Sequence, residues 1–511
     1  MRILGLKRSE LLILILSAVV IMLFVSTSSP IYPFNVWDDT NVYFSLGRGI
    51  LEGQVPYRDL YEQKGPVFLF MYAVSALISR TGFTGLWIFE CLAASVFAVF
   101  SWKTVKLFAN PPAFTIGIVP VYMSLIYTIG MFNFGGSTEE FCFPLLSIAL
   151  YIALKMIRRL DGTLPSSKDA LTCGVITAIM FWTKYTFVGF MAGFILILIF
   201  MAAKHRQWKA LGKDVLYFLI GFVLVSLPVF IYFGAYGALD SLWEAYFYNN
   251  IFNYYANTEY QGLLAYGAVR FFAFPVMGLV TSCKIFHDYA FLMILSLAGV
   301  IFFDKKYRKN VILLTAVTLF VSLKLIFSRS SFIYYYGYIL VFYFVFALIL
   351  VVRGIQFLIK LNPRREKVIK LITVIVTAGL SFNLIITCKN LYLLKLKKED
   401  LAQYKFASII NQTEDPKILT YDIIDGGFYL ASGVSPCNRF FTYMNFIENN
   451  EEATGEQDRL IEEGYFDYII TYYDDYEWDN YELLEVSDNE YSDYTKDMYI
   501  IRYCIYQRTG A

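Results

Sequence analysis

The chemistry open to this chain is concentrated in a few charged side chains set among long apolar runs. One segment, NVWDDTNVYFSLGRGILEGQVPYRDLYEQKGPVFLF, carries Asp38, Asp39 and Lys64. The two aspartates precede a helical pattern of Val42, Phe44, Leu46 and Ile50 that ends at Gly53. An aspartate at that place can accept hydrogen bonds from the free amides of the first turn, and the spacing predicts this capping role for one of the pair. The other is then a carboxylate with no covalent neighbour to pair with, able to act as a general base if apolar surroundings raise its pKa. Lys64, Lys184, Lys324 and Arg329 stand in or beside apolar runs. A cation there snorkels to headgroups, pairs with a carboxylate such as Glu90, Glu139 or Glu140, or receives an anionic phosphate ligand. Glu139 and Glu140 follow GlyGlySerThr, so Ser137 or Thr138 can cap a helix whose first turn holds both carboxylates, where the helix dipole favours them. Glu90 sits inside an apolar run, a costly place for a carboxylate unless it is paired or functional. With only His205 and His287 in the chain, a histidine triad or histidine metal centre is disfavoured. Asp38, Asp39 and Glu139 are still able to converge on a divalent cation.

A membrane bundle must position these residues. Of 511 residues, 58% are hydrophobic and 17% charged, and the mean hydropathy is +0.53. Those values exclude an ordinary cytosolic enzyme and a disordered chain, and a net charge of +1 leaves no excess with which to grip nucleic acid. A spanning helix needs about 20 mostly apolar residues, and about eleven segments qualify: 11–29, 84–102, 112–131, 141–157, 170–183, 187–203, 214–234, 286–303, 310–327, 332–352 and 368–387. The basic start MRILGLKRSE resembles a secretory signal, but no A-x-A site follows, so the first run is read as a retained anchor. The run Pro66 to Ser79 has 14 residues, a length that fits an interfacial or re-entrant helix. With that run left out and the N-terminus cytoplasmic, 23 of the 32 Lys/Arg in residues 1–387 fall on the cytoplasmic side, in accord with the positive-inside rule. The expected fold class is an all-α polytopic membrane protein of the cell membrane. Its outer face carries 30–83, the turn Gly135 to Glu140, 235–285 and the tail from 388. The short cytoplasmic loops leave no room for a nucleotide domain, and no GxxxxGK[ST] or GxGxxG occurs.

The tail differs in kind. Residues 388–511 hold 11 Lys/Arg against 24 Asp/Glu. Glu399 to Gln412 reads as an amphipathic helix, and Ile418 to Tyr421, Tyr468 to Tyr472, Tyr481 to Val486 and Met498 to Tyr506 read as strands. Thr454-x-x-Gln457 resembles a capping box opening a second helix. The expected domains are therefore a membrane part, 1–387, with interfacial helices in loop 30–83, and a small extracytoplasmic α/β domain, 388–511, whose acidity is a solvated surface. The seven cysteines show no CxxC or Cys/His cluster, so no disulfide framework or zinc site is expected.

Several pieces in order resemble a known family: an aspartate opening a short helix after the first span, Arg48-x-x-Leu51-x-Gly53, Pro56-Tyr57, Lys64-Gly65-Pro66 before an interfacial helix, and an acidic turn two spans later. Together they resemble the GT-C superfamily of polyprenyl-phosphate-sugar-dependent glycosyltransferases, nearest to its protein O-mannosyltransferase and lipid A aminoarabinose transferase group. The similarity covers roughly residues 1–205, with a fainter echo in Arg329 to Tyr338. The resemblance implies that Asp39 activates the acceptor, with Asp38 beside it, and that Lys64 and Lys184, with Arg329, contact the donor phosphate. Glu139 or Glu140 would be the second acidic site. The implied partners are a polyprenyl-phosphate-linked sugar donor, a hydroxyl acceptor in an envelope glycan, lipid or protein, and membrane lipids. Two positions depart from the family pattern: Thr40 stands where many members carry Glu, and Lys64 is followed by Gly-Pro rather than Pro-Pro. The alternative is a polytopic transporter or lipid-linked-sugar flippase. Such proteins commonly show internal repeats and helices broken at the midplane, whereas here no repeat is found and the charges crowd at span ends.

Overall fold

The computed structural model describes residues 2–128, 132, 134–253, 290–327, 341–443, 451–492 and 498–510. A small hairpin of β1 (Arg2–Ile3) and β2 (Leu6–Lys7) leads into α1 (Arg8–Val25). Next come α2 (Asp38–Leu51), α3 (Pro66–Ile78), α4 (Thr84–Phe108), α5 (Ile118–Tyr127), α6 (Thr138–Arg159), α7 (Ser167–Lys184), α8 (Gly189–His205) and α9 (Trp208–Ala235). A short α10 (Leu239–Leu242) passes into a π-helical stretch, Trp243–Asn253, and the bundle continues with α11 (Ala290–Ile301), α12 (Lys305–Phe327), α13 (Val345–Leu361) and α14 (Glu366–Ile386). Every apolar segment read from the sequence overlaps one of these helices. Seven helical stretches among the described residues are long and apolar enough to cross a membrane. In that count α7 and α8 form one stretch, Ser167–His205, broken by the 3-10 turn Tyr185–Val188. The 13-residue α3 is not among the seven, as its length predicts, and neither are α5, α11 and α12, so three of the eleven expected spans, 112–131, 286–303 and 310–327, are not matched by a helix of that length and hydropathy among the described residues.

Aromatic packing holds the bundle. The Phe97 ring on α4 stacks on Tyr122 of α5 at 5.5 Å and meets Phe143 of α6 edge-on at 4.7 Å. All three side chains are buried, and in a bilayer it is such van der Waals packing, rather than transfer out of water, that holds helices together. A second core gathers where α2, α3 and the ends of α7 and α9 meet the C-terminal region. There Phe44, Leu46, Phe68, Tyr72, Trp182 and Phe233 pack with Phe406, Ile418, Phe428 and Tyr503 from the C-terminal region.

That region contains α15 (Ala402–Ile410), β3 (Ile418–Thr420), α16 (Phe428–Ser432), α17 (Glu451–Glu462), β4 (Tyr468–Thr471), β5 (Tyr481–Ser492) and β6 (Met498–Arg508). The four strands form one sheet in the order β3-β4-β6-β5, with β3 and β4 parallel and the other pairs antiparallel. Strand alternation sends Ile418, Ile470, Tyr503 and Ile505 toward the membrane bundle, while Leu419, Ile469, Cys504 and Tyr506 pack with α17 on the far face. The expected strands are all present. The expected capping box is not: Thr454 lies inside α17, which is already helical at Glu451, and Gln457 donates instead to Phe440 O at 2.5 Å. A pattern of residue types cannot distinguish a helix start from a turn within a helix.

Candidate active site

The site is built on α2, whose start differs from expectation. Trp37, with an extended backbone, stands at the cap position, and no side chain caps the helix. Asn35 does the local work: its Oδ1 accepts from Trp37 N at 3.0 Å, while the Asn41 amide donates to Asn35 O and Trp37 O, both at 3.0 Å. Asp38 and Asp39 both fall in the first turn, favoured by the dipole without capping. The predicted capping role is thus corrected for both aspartates.

Helical spacing then separates the two carboxylates. Asp38 shares a face with Asn41, Ser45 and Arg48, and this face meets the C-terminal segment 425–433. Ser45 donates to Asp425 Oδ2 at 3.1 Å, and the Arg48 guanidinium holds Tyr429 O at 3.0 Å and Gly433 O at the end of α16. Asp425 is itself buried, accepting from the amides of Gly427 and Phe428 at 2.9 and 2.8 Å. Burial pushes its carboxyl up to about 6 against those hydrogen bonds. Burial also pushes Asp38 up to about 8, reinforced by Asp39 and Asp425. Asp425 went unnoticed in the sequence because most carboxylates of the tail are exposed, as a solvated surface requires. Its one distinguishing signal was a Gly-Gly pair directly after it, amid apolar neighbours.

Asp39 faces the other way. Tyr43, one turn on, donates to Asp39 Oδ2 at 3.1 Å, and the ammonium of Lys64 lies 5.5 Å from the centre of the Tyr43 ring. Lys64 also sits 3.5 Å from Glu62 Oε1. Glu62 is buried and accepts from the amides of Gln63 and Lys64 at 2.7 and 3.1 Å. Burial lifts the Glu62 carboxyl above its ordinary range, Lys64 opposes this, and Asp39 adds to it. Sequence reasoning missed Glu62; the available signal was a carboxylate two residues before a lysine at a membrane boundary.

Lys184 ends α7 next to this group. Its ammonium pairs with Glu139 in the first turn of α6, and Lys64 is near enough for its charge to act on Lys184. The contact that brings the lysines together is made by Gly65, whose N–H donates to Thr183 O at 3.0 Å. A Cβ on Gly65 would lie 2.0 Å from Trp182 O, and proline would lack the donor altogether. The Gly-Pro variant of the motif therefore has a physical reason here. Gly65→Ala is expected to force the segment off α7, costing about 1–3 kcal/mol and lowering the melting temperature. Unchanged melting would show that the contact is dispensable.

The structure does not bring every predicted residue to this place. Glu140 turns away from Glu139 toward Glu90, its Oε2 accepting from Gly136 N at 2.9 Å. Ser137 is the cap of α6, accepting from Glu140 N at 3.0 Å, as read from the sequence. Lys324 lies in the last turn of α12, and Arg329 falls outside the described residues. Among the described residues, no three His, Cys, Asp or Glu gather as metal ligands do, and Glu139, the third carboxylate of the possible cation site, faces Lys184. Arg439, also unanticipated, ties the surroundings together. Its guanidinium donates to Tyr57 O at 3.0 Å and to Glu244 at 3.0 and 3.1 Å, and Tyr61 N donates to its carbonyl at 2.9 Å.

Residues 63–232 match the family model of dolichyl-phosphate-mannose-protein mannosyltransferases. In structure the chain is similar to ArnT from Cupriavidus metallidurans bound to undecaprenyl phosphate, with a TM-score of 0.60 and 10% identity over 99% of each chain. It is similar as well to the same protein in the apo state, with a TM-score of 0.58 and 10% identity over 98% of each chain. No curated protein matches by sequence. The chain thus shares the membrane fold of ArnT, with a small C-terminal sheet, and the family model overlaps the resemblance read from residues 1–205 over residues 63–205.

Proposed function

We propose that this protein moves a sugar from a polyprenyl phosphate to a hydroxyl acceptor of the cell envelope, on the face where α2, α3 and the C-terminal domain lie, and that this face is extracytoplasmic. The observation that carries the reading is the convergence of one carboxylate and two lysines at the membrane boundary, with Asp39 linked through Tyr43 to Lys64, and Lys64 set beside Lys184 by the Gly65 contact. Asp39 takes the proton of the acceptor hydroxyl while the acceptor oxygen bonds to the anomeric carbon. The bond from that carbon to the phosphate oxygen breaks, giving inversion and free polyprenyl phosphate. Lys64 and Lys184 face the charge that gathers on the departing phosphate. Glu62 and Glu139 hold the ammonium groups in place before the donor arrives and limit the repulsion between them.

Full-length protein reconstituted with a polyprenyl-phosphate-linked sugar is expected to release polyprenyl phosphate when a hydroxyl acceptor is present, and slowly with water alone. Movement of a solute across sealed vesicles with no cleavage of the lipid-linked sugar would establish a transporter instead. The face is tested on the same protein. Cysteines replacing Glu52 and Gly455 should react with an impermeant thiol reagent from outside intact cells, and one replacing Lys168 should not; the reverse pattern would invert the topology.

A further inference from the structure

Beneath the start of α2 lies a turn, Phe134 to Ser137, on which much of the site rests. Phe134 O accepts from Thr27 N at 3.0 Å, Thr27 Oγ1 at 2.5 Å and Asn35 Nδ2 at 3.2 Å. Thr40, adjacent to Asp39, donates to Gly135 O at 3.0 Å, and Tyr72 donates to Gly136 O at 2.6 Å. Gly135 and Gly136 have φ of +84° and +88°, and each is crowded by side chains. A Cβ on Gly135 would lie 2.5 Å from Glu90 Oε1, and one on Gly136 2.6 Å from Tyr72 Oη.

Two carboxyl groups close this turn from behind. Glu140 Oε2 accepts from Gly136 N, and Glu90 Oε2 accepts from Ser26 Oγ at 2.5 Å. Both side chains are fully buried, at 0% exposure. Ser28 and the Gly136 N–H also lie near enough to act on the Glu90 carboxyl, but Oε1 of Glu90 and Oε1 of Glu140 make no well-formed hydrogen bond among the described residues, and neither carboxylate has an ion-pair partner there. Among the described residues, the titratable groups that face them are Cys91 on α4, Tyr72 on α3 and Tyr127 on α5, and none is a cation; Asp39 on α2 acts in turn on Tyr72.

Two negative charges buried on one turn without a cation would cost several kcal/mol per ion. A metal ion would need more ligands than the pair offers, and no third carboxylate, histidine or cysteine joins it among the described residues. A single proton resolves the arrangement: held by the pair, it halves the charge buried on the turn and supplies a donor where only acceptors stand. We propose that Glu90 and Glu140 share one proton across the Gly135–Gly136 turn, and that the pair acts as a positioning device for the helix start carrying Asp39.

Infrared difference spectra of the full-length protein test the shared proton without reference to activity. Glu90→Gln and Glu140→Gln should each remove one deuteration-sensitive carboxyl C=O band, because the glutamine amide then donates to the remaining carboxylate. The double variant should remove no more than either single one. Removal of two bands by the double variant would mean that both groups are separately protonated, and removal of none that both are ionised. A stoichiometric metal found in the parent and lost from the single variants would replace the proton with a cation. Each of these results overturns the proposal. The positioning role is read separately, and it rests on the transferase function. Glu140→Ala should lower kcat about tenfold more than Glu140→Gln does, with the donor KM little changed. Equal losses in the two variants would remove that role while leaving the infrared result standing.

Discussion

Asp39→Asn is expected to lower sugar transfer by about 10²-fold or more, because it removes the proton acceptor while nearly preserving shape and base catalysis typically contributes on that scale. Asp38→Asn should lower it far less. Asp38 is turned toward Asp425 and the C-terminal domain, and burial with its two acidic neighbours pushes it up to about 8. At pH 7 it is therefore mostly neutral, and asparagine imitates that form. The sign follows from linkage. A carboxyl whose pKa is raised by folding stabilises the fold while it is protonated, and the contribution is lost as the pH rises from the ordinary aspartate range through about 8. The parent should therefore lose melting temperature relative to Asp38→Asn between pH 5 and pH 9, whereas Asp39→Asn is to be compared by its rate. If Asp38→Asn is the dead variant and Asp39→Asn the active one, the two roles are exchanged; if both transfer at the parental rate, base catalysis by this pair is excluded.

The second large effect concerns the lysines. Lys64→Met should lower kcat by about 10²-fold or more, since a cation aimed at a departing phosphate binds the transition state more strongly than the ground state. Donor affinity should fall less than turnover. Lys184→Met needs a companion, because it leaves Glu139 buried without its partner, at a cost of about 3–5 kcal/mol in stability. The double variant Lys184→Met/Glu139→Gln removes that charge and should recover melting temperature without recovering turnover. Turnover restored together with stability would reduce Lys184 to a structural ion pair. Undiminished turnover in Lys64→Met would remove the phosphate from this cluster.

The boundary between what is legible in the chain and what is not follows the range of the interactions. Hydropathy and length placed the membrane helices and marked Pro66 to Ser79 as too short to span, because those properties belong to consecutive residues. Alternation found the strands of the tail for the same reason. Residue types also singled out Asp39, Lys64, Lys184 and Glu139, since charges beside apolar runs are few. The sequence alone did not determine which aspartate of the pair faces the lysines; consecutive residues point about 100° apart around a helix, and only the docking of the Ser45 face of α2 against Asp425 orients it. Nor did it determine that Lys184 pairs with Glu139, that Gly65 must be a glycine because a carbonyl of α7 occupies the space of its side chain, or that Glu90 and Glu140 close one turn. Those contacts join residues tens to hundreds of positions apart. Their geometry is set by the packing of whole helices and of the C-terminal sheet against them, and no local pattern of residue types carries that information.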